Sequence, residues 1–451
     1  MRAILLALLC LTGCQSAATD VGDTDSDADT DVAVVVPPDA QPLRFMLHGG
    51  SYADARSSTR FVNGAHGGRV VTLGATDPSD PDLGEYDAWW VRNGASDAVT
   101  LNPTTPDEAN ADTVAASLAS ADAVYLRGGD LKGMLAAWTG TAVEAGLRDA
   151  VARGAPIGGT AAGAAYLGAL VAVPDGDGLE SWQALAGDPF TLKAGPIGAV
   201  SGAVIDTDLA YRARLGRLVR FTQAAAERDP TAQGLGIDGQ TALLVWEDGT
   251  AEVAGQGALT VLRPDAVGAD ALTLWHLTSG YTVDLAQRDP VVSRPDGVPA
   301  TAPLEAVEPW VNTTLLGDDR EADRAGEWTV AGSQDPDAWW NGALRVVAGA
   351  NRLPGVTVVP ALYADATLAG SRQAALLVAL ATEPGAVVLG VDVGGRVTVA
   401  GDTFTSRVGP PTWILDGRVI RFAGVQSSGW RNPVVEGARL TLTSAPWSAA
   451  P

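Results

Sequence analysis

The sequence predicts an α/β protein in which a mostly parallel sheet carries helices on both faces, followed by a smaller C-terminal α+β domain. Three observations lead there. Short apolar runs that end in glycine recur, as in Leu43-Arg44-Phe45-Met46-Leu47 before His48-Gly49-Gly50 and Arg69-Val70-Val71-Thr72-Leu73 before Gly74. Stretches with apolar residues at helical spacing alternate with them, the order expected of parallel strands joined by crossover helices. Past residue 308 the chain turns instead to tryptophan and short strands. With 451 residues and 46% hydrophobic composition, the chain can bury a sizeable core in two or three domains.

In chain order, Met1-Arg2 and the apolar run that follows are too short to span a bilayer and fit the core of a secretory signal peptide. The run closes with Leu11-Thr12-Gly13-Cys14, which matches the lipobox of bacterial lipoproteins. Residues 1–14 are therefore read as a signal peptide with lipidation expected at Cys14, and Gln15 is compatible with an address at the outer membrane of a bacterial cell envelope. The only other cysteine is Cys10, so no disulfide framework is expected. Residues 15–42 form an acidic, self-repelling tether in which Asp20, Asp23, Asp25, Asp27, Asp29 and Asp31 alternate with small residues. A calcium loop counted from Asp23 needs glycine where Ala28 stands and a bidentate glutamate that is absent. The formal net charge of −23 argues against a nucleic-acid partner and against direct adsorption to anionic lipid. Membrane attachment would then come through the acyl anchor alone.

From Leu43 the first two strands are followed by Ala98-Val99-Thr100-Leu101 and by residues 121–126 before Arg127-Gly128-Gly129-Asp130. Sites in such sheets form where strands end, which draws attention to these glycine-rich ends. A helix over 142–153, with Val143, Leu147 and Val151 on one face and Gly154 as its C-cap, leads into a buried strand starting at Pro156-Ile157. Then comes Gly159-Thr160-Ala161-Ala162-Gly163, the frame of a G-x-S-x-G nucleophile elbow with alanine at its centre. The small residues from Gly163 predict a helix packed closely on the sheet and running to about Leu170. Taken alone, the run reads equally well as a tight helix–sheet contact in an alanine-rich chain.

Several separated stretches resemble cyanophycinase and its relatives among the serine peptidases, including aspartyl dipeptidase. Gly128-Gly129-Asp130 is similar to the family's Gly-Gly-Asp/Asn-Gln, with Leu131 where glutamine is usual. The run 158–165 resembles its elbow, with Ala161 in the serine position. Asp206-Thr207-Asp208-Leu209, followed by Arg212, Arg214 and Arg217, resembles Asp-Gln-His-Phe and an arginine run, with Asp208 in the histidine position. Gly234-Leu235-Gly236-Ile237-Asp238-Gly239 places Gly239 in the glutamate position, and Leu274-Trp275-His276-Leu277 resembles a strand near the end of the family domain. The resemblance covers residues 43–289. It implies a flavodoxin-like, class I glutamine amidotransferase-like fold and a site rimmed by Gly128, Gly129, Asp130, Thr160 and Ala162.

The resemblance also implies that no catalytic group of the triad is intact. Ala161 has no nucleophile, Asp208 cannot shuttle protons near neutrality without a pKa raised by several units, and Gly239 cannot orient a base. His48, His66 and His276 are the only histidines, and neither a cysteine pair nor a paired-histidine motif suggests zinc. No cofactor is expected. Arg212 and Arg214 are candidate contacts for a carboxylate-rich peptide or Asp/Arg-containing ligand. The same arginine run reads as the polar face of a helix whose Leu215, Leu218, Val219 and Phe221 turn inward. The expectation is a lipid-anchored pseudo-peptidase with a binding or structural role. The alternatives are an active hydrolase of cyanophycin or β-aspartyl peptides using an unusual nucleophile such as Thr160, or a scaffold that binds no small molecule.

Residues 290–308 read as a Pro/Asp/Ala-rich linker, and 309–451 as the Trp-rich α+β domain. Two echoes suggest that this domain is a degenerate partial repeat. Residues 372–383 before Leu389-Gly390-Val391-Asp392 echo residues 217–227 before Leu235-Gly236-Ile237-Asp238, and Asp337-Ala338-Trp339-Trp340 echoes Asp87-Ala88-Trp89-Trp90. No second elbow motif accompanies them, and chance similarity in an Ala/Gly/Val-rich chain is the competing reading.

Overall fold

The computed structural model describes residues 42–448 apart from 51–53, 78–83, 177, 266–270, 297, 299–309, 317–325, 332–344, 349–352, 361–368, 393–394, 402, 409–410, 427–431 and 444–446. Cys14, the aspartate-rich stretch and the 337–340 echo therefore lie outside the described residues. From Gln41 onward the chain forms one compact unit.

Its first part runs β1 (Leu43–His48), α1 (Ala55–Gly64), β2 (Arg69–Leu73), α2 (Glu85–Arg92), β3 (Asp97–Leu101), α3 (Pro106–Ala109), α4 (Asp112–Ala119) and β4 (Ala123–Leu126). It continues with α5 (Leu131–Trp138), α6 (Ala142–Arg153), β5 (Ile157–Thr160), α7 (Ala162–Tyr166), β6 (Leu170–Pro174), α8 (Ser181–Ala186), β7 (Phe190–Ala194), β8 (Ala203–Thr207) and α9 (Leu215–Ala226). Then follow β9 (Gln233–Ile237), β10 (Thr241–Trp246), β11 (Thr250–Gly255), β12 (Ala258–Pro264), β13 (Ala271–Thr278), β14 (Thr282–Asp284) and β15 (Val291–Ser293). The last part is β16 (Trp310–Leu316), β17 (Gly326–Ala331), β18 (Arg345–Ala348), β19 (Leu353–Pro360), α10 (Ala369–Thr382), β20 (Val387–Val391), β21 (Arg396–Gly401), β22 (Thr403–Val408), β23 (Thr412–Asp416), β24 (Phe422–Val425), β25 (Pro433–Thr443) and β26 (Trp447–Ser448).

The sheet that carries the elbow has the order β15-β14-β11-β10-β1-β5-β4-β2-β3. Strands β1, β5, β4, β2 and β3 are parallel neighbours, while β10, β11, β14 and β15 extend the sheet antiparallel. Crossover helices explain the parallel half, because parallel neighbours cannot be joined by a hairpin. One face packs Leu47, Leu73, Val124, Leu126 and Ile157 under α5–α7, and the other packs Met46, Val70, Ala123 and Tyr125 under Phe61 and Trp90. These are the two covered faces that near-continuous apolar strands require.

A second sheet has the order β18-β17-β19-β20-β23-β25-β13-β12-β9-β8-β6-β7 with β24 beside β25, and a third is β16-β21-β22-β26. The second sheet runs through both parts of the chain, because β13 pairs antiparallel with β25.

Two local expectations change. The helix after the elbow ends at Tyr166 instead of continuing to Leu170, which opens β6. A side chain on Gly168 would collide with the Leu170 carbonyl at 2.8 Å, and the chain turns there into the β-prone Leu170-Val171-Ala172-Val173. The segment expected to begin the linker starts instead as strand β15, hydrogen-bonded to β14. Helix α6 ends at Gly154 in the left-handed region, φ 82°, as its C-cap glycine predicts.

Candidate functional site

The site is built on the last residue of β1 and the two glycines after it. Three successive carbonyls of His48-Gly49-Gly50 accept hydrogen bonds from the backbone N–H groups of Ala161 (3.0 Å), Asp208 (2.9 Å) and Gln240 (3.1 Å). One tripeptide thus gathers the elbow, the β8 end and the turn after β9, segments far apart in sequence. Only glycine fits, since a Cβ on Gly49 would overlap the Asp238 carbonyl and one on Gly50 would overlap the Asp208 carboxylate.

Each gathered segment has a strained backbone. Among the described residues five non-glycines have positive φ, and three are Ala161 (49°), Asp208 (52°) and Gln240 (56°). Such residues cost about 1–3 kcal/mol each and cluster where function sets the geometry. Ala161, with ψ −117°, sits between the end of β5 and the first turn of α7, the strand–turn–helix of a nucleophile elbow. The turn is tight because glycine lets it close: a Cβ on Gly159 would meet the backbone of Gly163 at 2.6 Å, and Gly163 packs against the Leu126 carbonyl. Gly128 lies over the turn, where an added Cβ would stand 3.1 Å from the Ala161 methyl.

Thr160 points away from this turn. It is 4% exposed, its hydroxyl lies 3.2 Å from Nδ1 of His48, and Tyr125 shares a hydrogen bond with it. His48 is fully buried, and burial holds its pKa down at about 4, so the imidazole is neutral at pH 7. Burial likewise pushes the Tyr125 phenol well above its ordinary range. The Thr160 hydroxyl therefore belongs to a buried polar cluster beneath the sheet end.

Asp208, in the histidine position, is partly exposed. Its carboxyl is raised from the ordinary value, mainly by burial, with Arg214 and Arg212 pulling the other way. The arginines separate into roles. Arg217 forms a bidentate pair with the buried Asp206 and also donates to the Leu179 carbonyl at 2.8 Å. Arg214 is buried and donates to the Thr207 carbonyl at 2.7 Å, with Asp206 and Asp208 at 3.9 and 4.0 Å. Arg212 is half exposed beside Glu180 at 3.4 Å, next to the exposed Tyr211. Of the two arginines expected to contact ligand, Arg212 is half exposed, whereas Arg214 is buried and serves the loop itself. Leu215, Leu218, Val219 and Phe221 turn inward on α9.

Asp130 caps α5 by accepting from the N–H groups of Lys132 (2.9 Å) and Gly133 (3.0 Å), a structural duty. Gly129 beside it has φ 145°, and Cγ2 of Thr76 leaves no room for a side chain there. Gly239 is buried between Asp238 and Gln240, and its carbonyl accepts from Thr241 at 3.3 Å. Asp238 is itself buried, receives the N–H groups of Ala210 (2.9 Å) and Ala258 (3.1 Å), and is pushed by burial to a pKa of about 7. His276 lies in the core against the Thr260 hydroxyl at 2.8 Å. Sequence reasoning passes over His48-Gly49-Gly50 as a strand end. Its signal is the Gly-Gly pair after a buried parallel strand, the place where neighbouring backbones must approach.

An elbow at the end of parallel strands, in a sheet with two covered faces, defines the class as a flavodoxin-like, class I glutamine amidotransferase-like α/β scaffold. Residues 96–253 match the model of peptidase family S51. Cyanophycinase of Trichormus variabilis is 28% identical over 182 residues, 40% of this chain and 58% of that protein. Cyanophycinase of Synechococcus elongatus is 30% identical over 158 residues, 35% of this chain and 46% of that protein. A crystal structure of a peptidase from an acI-B1 actinobacterium aligns over 54% of this chain and 98% of its own, with TM-score 0.41 and 15% identity. Over the matched part, the chain is similar to the cyanophycinase-like serine peptidases. It spans about half the length of the curated relatives it matches.

Proposed function

We propose that this protein is a cyanophycinase-like pseudo-peptidase, anchored to a bacterial envelope through Cys14, that keeps the cleft of a peptidase as a binding site. The observation that carries this reading is Ala161, a methyl group held at φ 49° and ψ −117° where an elbow presents its nucleophile. Loss of the nucleophile alone costs a serine hydrolase on the order of a million-fold. Asp208 and the Gly239-Gln240 turn meet the same strand end without a base or its orienter. A glycine-lined turn with Arg212, Tyr211 and the Asp208 carboxylate at its edge suits a short peptide carrying charged side chains.

The purified protein is expected to release nothing from cyanophycin or isoaspartyl dipeptides beyond a heat-killed control, and to resist labelling by fluorophosphonates. Installing Ala161→Ser, Asp208→His and Gly239→Glu together should raise hydrolysis above that background, while Ala161→Ser alone should not, for want of a base. Turnover by the unmodified chain at an ordinary enzymatic rate would overturn the reading. One observation favours a working hydrolase: the Thr160 hydroxyl beside neutral His48. That pair is buried, and activity abolished by Thr160→Ala would be its signature.

The anchor has its own test. Palmitate labelling in a bacterial host should depend on Cys14, and a Cys14→Ser form that still carries lipid would sink the assignment.

A further inference from the structure

The second sheet has a symmetry that neither the elbow nor the cleft requires. Read inward from one edge, its strands are β7, β6, β8, β9, β12 and β13; from the other they are β18, β17, β19, β20, β23 and β25. The pairing sense agrees at every step. The outer pair is antiparallel, the next two are parallel, and the last two are antiparallel on both sides. Chain order agrees as well, with α9 between β8 and β9 and α10 between β19 and β20. Even the strands in other sheets correspond, since β1-β10-β11-β14 and β16-β21-β22-β26 are both antiparallel ribbons in the same order.

The registers fix the correspondence residue by residue. Leu235 of Leu235-Gly236-Ile237-Asp238 lies opposite Val261, and Leu389 of Leu389-Gly390-Val391-Asp392 lies opposite Ile414. Val261 in turn lies opposite Trp275, and Ile414 opposite Thr441. Thr273 is then equivalent to Arg439, Leu272 to Ala438 and Leu274 to Leu440. Across the central pair of strands Thr273 faces Arg439, its own equivalent, while Leu272 faces Leu440 and Leu274 faces Ala438. Residue i meeting the equivalent of j, and j meeting the equivalent of i, is the signature of an isologous two-fold contact.

We propose that β16 to β26 is a degenerate second copy of the first part of the chain, docked about a pseudo-two-fold axis at Thr273 and Arg439. It occupies in cis the β13 edge through which a single copy would pair with a second chain. An open edge of this kind is a template for pairing, and the fused copy closes it. Where the first copy has 121 residues between β1 and β6, carrying the elbow, the second has only 317–325 between β16 and β17. The span that carries the elbow therefore has no counterpart in the second copy. Asp87-Ala88-Trp89-Trp90 lies on α2, inside the span without a counterpart, so the 337–340 echo does not belong to the repeat.

Two measurements on the full chain test this. Sedimentation equilibrium of the Cys14→Ser form should give a monomer, and a dimer would overturn closure in cis. Leu272, Leu274, Ala438 and Leu440 share one core with α9 and α10, so Leu272→Ala should lower the urea midpoint clearly. Adding Ala438→Leu moves the small side chain from opposite Leu274 to opposite Leu440. The two cross-strand pairs are then the native ones reflected through the axis, and most of the loss should be restored. A double variant no more stable than Leu272→Ala would refute the two-fold equivalence. If Leu272→Ala does not fold, Leu272→Val with Ala438→Leu poses the same question, and failure of the second change to recover stability refutes it equally.

Discussion

Ala161 and His48 show how single residues record what this site has kept. Ala161 keeps a backbone that β-carbon-bearing residues avoid, which the His48 carbonyl and the glycines at 159 and 163 impose from outside. His48 and His276 are buried neutral, with pKa values near 4 and 3 against 6.5 when free. The unfolded chain therefore binds protons at these groups first, so stability present above about pH 6.5 is lost as pH falls toward those lower values. Asp238, raised to about 7 by burial, acts in the opposite sense. Its contribution is complete below the ordinary aspartate value and is lost as pH rises through about 7. Two histidines against this carboxyl should leave a net loss on acidification between about pH 6 and 4.5. Urea unfolding of His276→Gln across that range should show a shallower fall, by up to about 1.4 kcal/mol per pH unit. An unchanged slope would mean that His276 titrates normally in the folded protein.

At the scale of elements, the end of β1 governs the site because three other segments hang from its carbonyls. Alanine at Gly49 must displace the Asp238 carbonyl, a backbone atom held by β9, and cannot rotate away. Gly49→Ala is expected to cost about 3 kcal/mol or more, at the upper end of overpacking effects. Gly178→Ala, with nothing within 4 Å of the added carbon, should stay within about 0.5 kcal/mol. Equal denaturation midpoints for the two variants would show that the β1 end has room to shift. The β8–α9 connection is held differently, by the buried Asp206–Arg217 pair with Arg214 on the Thr207 carbonyl.

For the whole molecule, the shared sheet matters more than the segment between its halves. Besides β13 and β25, the buried Glu436 on β25 accepts from Tyr281 at 3.1 Å and from Arg294 at 2.5 and 2.7 Å. Arg294 also stacks on Phe422, 4.3 Å from the ring centroid. Elements from both parts therefore lose contacts together. Calorimetry should show one transition, and Glu436→Ala should lower it as a unit, by about 1–3 kcal/mol, because the buried Tyr281 hydroxyl loses its acceptor while Arg294, 44% exposed, is left facing water. Two separated transitions, with only the earlier one moved by the substitution, would show that the two parts unfold independently.

Much of the fold was legible because it rests on local signals. The apolar strands ending in glycine, the helix capped at Gly154 and the inward face of α9 follow from periodicity and capping, which act over a few residues. Alanine at the centre of the elbow frame was legible too, since a methyl group there is a fact of chemistry rather than of position. The sequence by itself therefore determined the α/β class, the elbow and the methyl group at its centre. Tertiary structure decided what depends on contacts between distant segments: the three carbonyls of His48-Gly49-Gly50 that gather the site, the burial of Thr160 and Arg214, and the β13–β25 pairing. No local pattern encodes these, because a hydrogen bond between strands about 160 residues apart leaves no periodic trace in either.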